Sequence, residues 1–128
     1  MYVKILILQE KRGKTMDAST VMALATGAVV SAIFLIIGIV QIRRKTPVGF
    51  YTGEVPPLES HLKSVRGWNI CHGLLWIGYG LILISSFLVT AFWDADSLYK
   101  SLLLFAAVIL PLFLMVLGHH LLIRKYLI

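Results

Sequence analysis

The sequence has little charge and almost no cysteine. Only 14% of its 128 residues are Asp, Glu, Lys or Arg, and Cys71 is the single cysteine. One cysteine excludes an intrachain disulfide. Three apolar stretches occupy most of the chain, so the residues that remain are too few to form a hydrophobic core of their own. Any chemistry must therefore lie between the apolar segments, in the loop that joins the first two, or in a partner protein.

Acidic side chains are absent from all three apolar stretches. Coupled ion transport usually needs an ionisable group inside the membrane, so this absence disfavours a transporter that works alone. The sequence also lacks an HExxH motif, a serine elbow motif and a glycine-rich phosphate loop. We therefore predict a protein that is not an enzyme and needs no cofactor. Nucleic-acid binding is not expected either, because membrane orientation explains the basic residues.

The three apolar stretches are residues 18–42, 69–92 and 98–122, and Lys100 is their only charged residue. Each exceeds the roughly 20 residues that cross a hydrocarbon core of about 30 Å. The sequence predicts an all-α integral membrane protein in a single membrane domain, with three transmembrane helices in antiparallel, up-down-up order. The lipid bilayer is therefore one of its predicted partners.

Basic residues are distributed unevenly among the connecting segments. The loop 43–68 and the tail 123–128 carry seven, whereas the turn 93–97 is acidic. The positive-inside rule predicts a multi-pass protein of the cell membrane whose loop and C-terminal tail are cytoplasmic, with the turn and the N-terminal tail 1–17 outside. The seven residues are Arg43, Arg44, Lys45, Lys63, Arg66, Arg124 and Lys125.

The N-terminal tail opposes this orientation, because it adds four basic residues to the outer side. Residues 11–15 are what a purine-rich ribosome-binding sequence would encode if it were read in frame just before a start codon. We therefore expect that the native bacterial protein begins at Met16. The alternative is a genuine basic tail that contacts lipid headgroups.

Small residues recur at helical spacing in the first two apolar stretches. Such residues let helix backbones approach closely in lipid. They predict helix packing, either within the three-helix unit or between copies in a homo-oligomer. The residues are Ala23, Gly27 and Ser31 in the first stretch and Gly73 and Gly80 in the second.

The loop contains the least generic part of the sequence. Residues 47–57 hold two glycines, an aromatic pair and three prolines, which predicts compact turn structure. The aromatic pair, Phe50 and Tyr51, should favour the membrane interface. Pro57 is suited to a helix start, and apolar residues share one face after it. This predicts a short amphipathic helix over 58–66 on the membrane surface.

Polar and aromatic side chains follow a three-and-four spacing at the start of the second stretch. Residues at this spacing share one helix face, which should point into the bundle because polar groups in lipid need partners. The face consists of Asn69, His72, Trp76 and Tyr79. The predicted binding region adds Gly49, Phe50, Tyr51, Thr52 and Trp68 to it.

Histidines should meet near the cytoplasmic surface. Because the second and third spans are antiparallel, His72 and the pair His119 and His120 lie at similar depth. Adjacent helix residues point about 100° apart, so only one of the pair can face His72. Such a cluster could bind a metal or relay protons. Its spacing is not a metal signature, so we predict no metal site and favour interfacial histidines whose rings reach water or headgroups.

The loop and the start of the second stretch resemble the SdpI-like family of bacterial membrane proteins. Gly49, Thr52, Trp68 and His72 match its pattern, and Tyr51 stands where the family has arginine. The family includes immunity proteins that protect a cell from its own secreted peptide toxin. The resemblance therefore implies that this region is functional and that the partner is a protein or peptide.

Three hypotheses of function remain. The preferred one is a non-enzymatic membrane protein that binds a protein or peptide, with immunity or signalling as its concrete form. The second is a small oligomeric transporter or channel with the histidines near its cytoplasmic mouth. The third is a structural subunit of a larger membrane complex.

Overall fold

A computed structural model describes residues 1–13, 16–51 and 53–128, with the side chains of residues 8–13 left out of the description. The described chain forms helices α1 (Tyr2–Gly13), α2 (Ala18–Arg43), α3 (Val65–Phe92) and α4 (Ser97–Tyr126). Helices α2, α3 and α4 are long and apolar enough to cross a membrane. The protein is therefore an all-α, multi-pass membrane protein with three spanning helices, and this part of the prediction is confirmed.

Polar residues begin two of the spanning helices. The Asp17 carboxylate accepts a hydrogen bond from the Thr20 backbone N–H at 2.8 Å, and bonds from the Thr20 side chain and backbone lower the pKa of Asp17. The Ser64 hydroxyl accepts from the Gly67 N–H at 3.0 Å. These bonds satisfy N–H groups that have no partner within the helix. Because Ser64 caps it, α3 begins four residues before the apolar stretch that predicted it.

The predicted amphipathic helix over 58–66 is wrong in its extent. Only Glu59–His61 forms a 3-10 turn, and α3 already begins at Val65. Leu62 lies between them in extended conformation and forms an antiparallel bridge with Leu127. The Lys63 N–H donates to the Tyr126 carbonyl at 2.8 Å, which pairs one of the free carbonyls at the end of α4. This segment therefore covers the end of α4.

Helix α3 is central, because it packs against both α2 and α4. The α2–α3 contact is built on small residues. A methyl group at Gly38 would collide with the Gly73 carbonyl, and one at Gly27 would collide with the Phe87 ring. The small-residue prediction holds at the buried residues Gly27, Ser31, Gly73 and Gly80, but Ala23 is exposed. Sequence reasoning missed Gly38.

The two glycines Gly38 and Gly78 give a matched test of this packing. Gly38→Ala should lower stability by about 1–3 kcal/mol, because the added methyl group meets backbone that cannot move aside. Gly78→Ala should leave stability unchanged, since nothing lies within 4 Å of a methyl group there. Thermal unfolding of both variants in the same detergent checks this. Equal melting temperatures would contradict close packing of α2 on α3.

Candidate functional site

The Asn69 side chain fastens the loop to the start of α3. Its amide nitrogen donates to the carbonyls of Arg44 and Thr46, both at 2.9 Å. Its amide oxygen accepts from the Val48 N–H at 3.1 Å. Asn69 is fully buried, and all its hydrogen-bonding capacity in this geometry is directed at loop backbone. One side chain therefore pairs three backbone groups of residues 44–48.

Trp68 provides a second attachment one residue earlier. Its indole N–H donates to the Val48 carbonyl at 2.9 Å, and its ring packs with Val48 and Leu62. Residues from the end of α4, including Ile123 and Leu127, pack on the same cluster. The loop, the start of α3 and the end of α4 thus share a small hydrophobic core at this end of the bundle.

A tight turn directs Glu54 back towards the helices. The Glu54 N–H donates to the Tyr51 carbonyl at 3.1 Å, and Gly53 has a φ of +98°, a conformation that favours glycine. The Phe50 N–H donates to the Glu54 carboxylate, which closes the turn. The Phe50 ring stacks on the His119 ring with centroids 4.5 Å apart. The turn therefore brings a carboxylate and an aromatic ring to helix α4.

A linear set of hydrogen bonds joins the three structural elements, and we name it the histidine–glutamate chain. The Trp68 carbonyl lies 2.9 Å from His72 Nδ1, and His72 Nε2 lies 2.9 Å from His119 Nδ1. His119 Nε2 lies 3.2 Å from the Glu54 carboxylate. His72 is completely buried, whereas a quarter of the Glu54 side chain is exposed. The histidine–glutamate chain thus leads from the buried start of α3 to the surface of the loop.

The position of each proton in the histidine–glutamate chain follows from its acceptors. A carbonyl has no proton to donate, so the bond to Trp68 requires a proton on His72 Nδ1. A neutral His72 then has a lone pair on Nε2, and His119 Nδ1 must donate to it. The other nitrogen, His119 Nε2, faces a carboxylate. That last bond needs one further proton, either on His119 or on Glu54.

A pocket of about 420 Å³ opens on the other side of the turn. Two of its lining side chains each carry a buried polar atom with no hydrogen-bond partner among the described residues: Gln41 Oε1 and Trp76 Nε1. The Gln41 orientation is chemically defined, because its Nε2 donates to the Gly49 carbonyl at 3.3 Å. The lining residues are Ile37, Gln41, Arg44, Val48, Gly49, Phe50, Tyr51, Glu54, Pro56 and Trp76.

A second pocket, of about 340 Å³, lies at the opposite end of the bundle between α2, α3 and α4. Lys100 and several hydroxyl side chains line it, and Ala23 is at its wall. None of the unpaired buried polar atoms found in the described part of the chain belongs to it. The pocket beside the loop is therefore the one with unmet hydrogen-bonding capacity.

The predicted binding residues divide into two groups. Gly49, Phe50, Tyr51 and Trp76 line the loop pocket, whereas Trp68, Asn69 and His72 are buried behind it. Tyr79 is 5% exposed in the core, where its hydroxyl lies 3.4 Å from the Val108 carbonyl. Thr52 lies outside the described residues. The structure therefore separates residues that can contact a ligand from residues that hold the loop.

Sequence reasoning missed Gln41, Arg44 and Glu54 as members of this site. Gln41 and Arg44 stand three residues apart at the end of α2, a spacing that places them on one face. The only signal for Glu54 was the glycine before it, which permits the reversing turn. Sequence reasoning also did not place a carboxylate beside the histidines, whereas the turn brings Glu54 to 3.2 Å from His119.

The candidate metal ligands do not converge on one point. His119 contacts His72 through Nδ1 and Glu54 through Nε2, so its ring separates the other two side chains. His120 is exposed and its ring centroid is 6.1 Å from that of His119. Among the described side chains, those of residues 1–7, 16–51 and 53–128, no three from His, Cys, Asp or Glu are placed to hold a metal ion. The geometry is that of a hydrogen-bonded chain.

No protein-family model, curated protein or solved structure matches this chain.

Asn69→Asp tests the attachment of the loop. The two side chains have nearly the same shape, but the carboxylate cannot donate to the carbonyls of Arg44 and Thr46. We expect a loss of about 1–3 kcal/mol, the usual cost of an unpaired acceptor. Hydrogen exchange should accelerate at Val48, whereas amides in the middle of α4 should keep their protection. The Val48 N–H keeps an acceptor in this variant, so faster exchange there would report loosening of the whole segment 44–48. Unchanged exchange together with an unchanged free energy of unfolding would contradict the attachment.

Proposed function

We propose that this protein is a non-enzymatic membrane protein that binds a peptide or protein segment in the pocket beside its loop. One observation carries the proposal: Gln41 Oε1 and Trp76 Nε1 are buried, lack partners among the described residues, and belong to side chains that line the same pocket. Buried polar atoms are normally paired, so an unpaired acceptor and donor in one pocket indicate a missing partner.

The chemistry of the lining favours a peptide as that partner. A peptide group offers one N–H and one carbonyl, which complement Gln41 Oε1 and Trp76 Nε1 respectively. Lipid acyl chains offer neither group. Arg44 adds a positive charge, and the rings of Phe50 and Trp76 add apolar surface. Tyr51, which is 61% exposed, provides an accessible aromatic side chain at the rim.

An immunity or signalling role is the concrete form of this proposal. The resemblance to the SdpI-like family supports it through Trp68 and His72, which anchor the loop and the histidine–glutamate chain. Tyr51, the residue that replaces the family's arginine, lines the pocket. A difference at this position would alter which peptide is recognised without altering how the loop is held.

Transport is less well supported than binding. The histidine–glutamate chain ends at the Trp68 carbonyl, which accepts a hydrogen bond but has no proton to pass on. In the part of the chain that the structure describes, these bonds do not continue towards the outer end of the bundle. The histidines therefore suit a binding site better than a conduction path.

The cytoplasmic position of the loop is a further part of the proposal. It is supported by basic residues at one end of the bundle, such as Arg43 at the end of α2 and Arg124 in the last turn of α4. A phosphatase fused at the turn 93–97 should be active outside the cell, and one fused after Ile128 should be inactive. The reverse pattern would place the pocket on the outer side.

The two tryptophans of α3 provide a matched test of binding. Trp68→Phe removes a donor that pairs with the buried Val48 carbonyl, so it should destabilise the fold by about 1–3 kcal/mol or more. Trp76→Phe removes a donor that has no partner in the described structure, so it should cost less stability and instead weaken ligand binding.

Binding itself can be followed by photo-crosslinking in native membranes. A benzoylphenylalanine at position 51 should yield a peptide or protein adduct, and the adduct should be lost in the Trp76→Phe background. The same group at Phe105, which is 65% exposed on α4, is the control for lipid and random contacts. An adduct at position 51 that persists in Trp76→Phe, or one formed by lipid alone, would contradict the proposed function.

A further inference from the structure

We propose that His72, His119 and Glu54 form a binding site for one proton, and that the bound proton holds the loop closed beside the pocket. Proton binding does not depend on the proposed function. The effect of the proton on ligand binding rests on the proposed function. The proposal is carried by the geometry of the histidine–glutamate chain and by the limited ways in which protons can fill it.

The chain has three hydrogen bonds and each requires one proton. The bonds join the Trp68 carbonyl to His72, His72 to His119, and His119 to Glu54. Two neutral histidines and an ionised carboxylate supply only two protons and a net charge of −1. A third proton completes the last bond and makes the three side chains neutral overall. The third proton can lie on either histidine or on Glu54, and in each case all three bonds are filled and the net charge is zero.

Loss of the third proton leaves one of the three bonds unfilled, and while His72 donates to the Trp68 carbonyl and His119 donates to His72, the unfilled bond is the one to Glu54. The lone pair of His119 Nε2 then faces the Glu54 carboxylate, and two acceptors 3.2 Å apart repel each other. His72 and His119 are buried, at 0% and 8% exposure, so water cannot readily compensate. Glu54 is the member with an exposed side and with no helix to hold it, so it is the one that moves away.

Departure of Glu54 would carry part of the pocket wall with it. Its carboxylate also accepts the Phe50 N–H, and Phe50 stacks on His119. Gly49, Phe50, Tyr51 and Glu54 all line the pocket. Closing the loop therefore takes up a proton, so the closed form gains stability as pH falls and loses it as pH rises.

Other ionisable groups near the site come from each packed element. Arg44 from α2 and Tyr51 from the loop line the same pocket as Glu54. His120 from α4 has its ring 6.1 Å from that of His119 but is exposed. None of these three side chains takes part in the hydrogen bonds of the histidine–glutamate chain. They therefore change the local electric field but not the number of protons that these bonds require.

Substitution of Glu54 separates protonation from simple loss of contact. In Glu54→Gln, the amide can donate to His119 Nε2 and its oxygen can accept from the Phe50 N–H. This variant fills all three bonds without an ionisable carboxylate, so the loop should stay closed at every pH. Glu54→Ala cannot make either bond and should leave the loop open throughout. His120→Gln is the control, because it removes an exposed histidine outside the chain.

The test uses the full chain with ¹⁵N-labelled histidine in lipid nanodiscs, without added ligand. Nitrogen shifts report the proton on each ring atom, and the protection factor of the Phe50 amide reports loop closure. Between about pH 5 and 9, a range that spans the usual histidine transition, the native protein should release one proton. Over the same step, Phe50 protection should fall by about tenfold or more, which corresponds to about 1.4 kcal/mol.

The variants decide the outcome. Glu54→Gln should abolish the pH step in Phe50 protection, and His120→Gln should retain it. A step of native size in Glu54→Gln, or native protection in Glu54→Ala, would overturn the proposal. Because no ligand is present, failure of the crosslinking experiment leaves this result untouched. Conversely, absence of the proton step would leave the peptide-binding proposal standing.

Discussion

The satisfaction of loop backbone groups by one buried amide is the constraint on which this site depends. Residues 44–48 leave the end of α2 with carbonyls and an N–H that have no secondary structure to pair them. The Asn69 side chain pairs three of these groups. Val48 and Asn69 are buried, so polar groups left unpaired there would be costly. Once Asn69 fixes this segment, Phe50 and Glu54 follow at set positions against α4.

The spanning helices could be predicted because their signal is local. Length and hydropathy define them without knowledge of neighbours. Of the predicted polar face, Asn69, His72 and Tyr79 are buried, whereas Trp76 lines the loop pocket. The segment around Leu62 could not be resolved in this way. Its apolar residues need to leave water, but their pattern is the same whether they are covered by lipid or by Leu127 at the end of α4.

The site was only partly predictable because it joins elements far apart in sequence. The His72–His119 contact follows from antiparallel helices of known length, and the spacing excluded one histidine of the adjacent pair. The contact of Glu54 with His119 depends on the handedness of a turn at Gly53, and no periodic pattern encodes it. Whether Gln41 Oε1 and Trp76 Nε1 have hydrogen-bond partners depends on the positions of neighbouring residues, and no sequence pattern gives those positions.

Trp68 and Trp76 lie two helical turns apart on α3 and illustrate how one residue type serves two purposes. Trp68 donates its N–H to the Val48 carbonyl within the fold, whereas the Trp76 N–H has no partner in the described chain.

A fold under selection for stability alone would not keep a buried donor unpaired, because its burial costs free energy. This unpaired donor belongs to a side chain of the pocket that Glu54 also lines, so the proposed peptide site and the proposed proton site are adjacent. Protons can reach the chain only from that side, since the Trp68 carbonyl closes the other end. The arrangement therefore favours binding linked to protonation over conduction of protons.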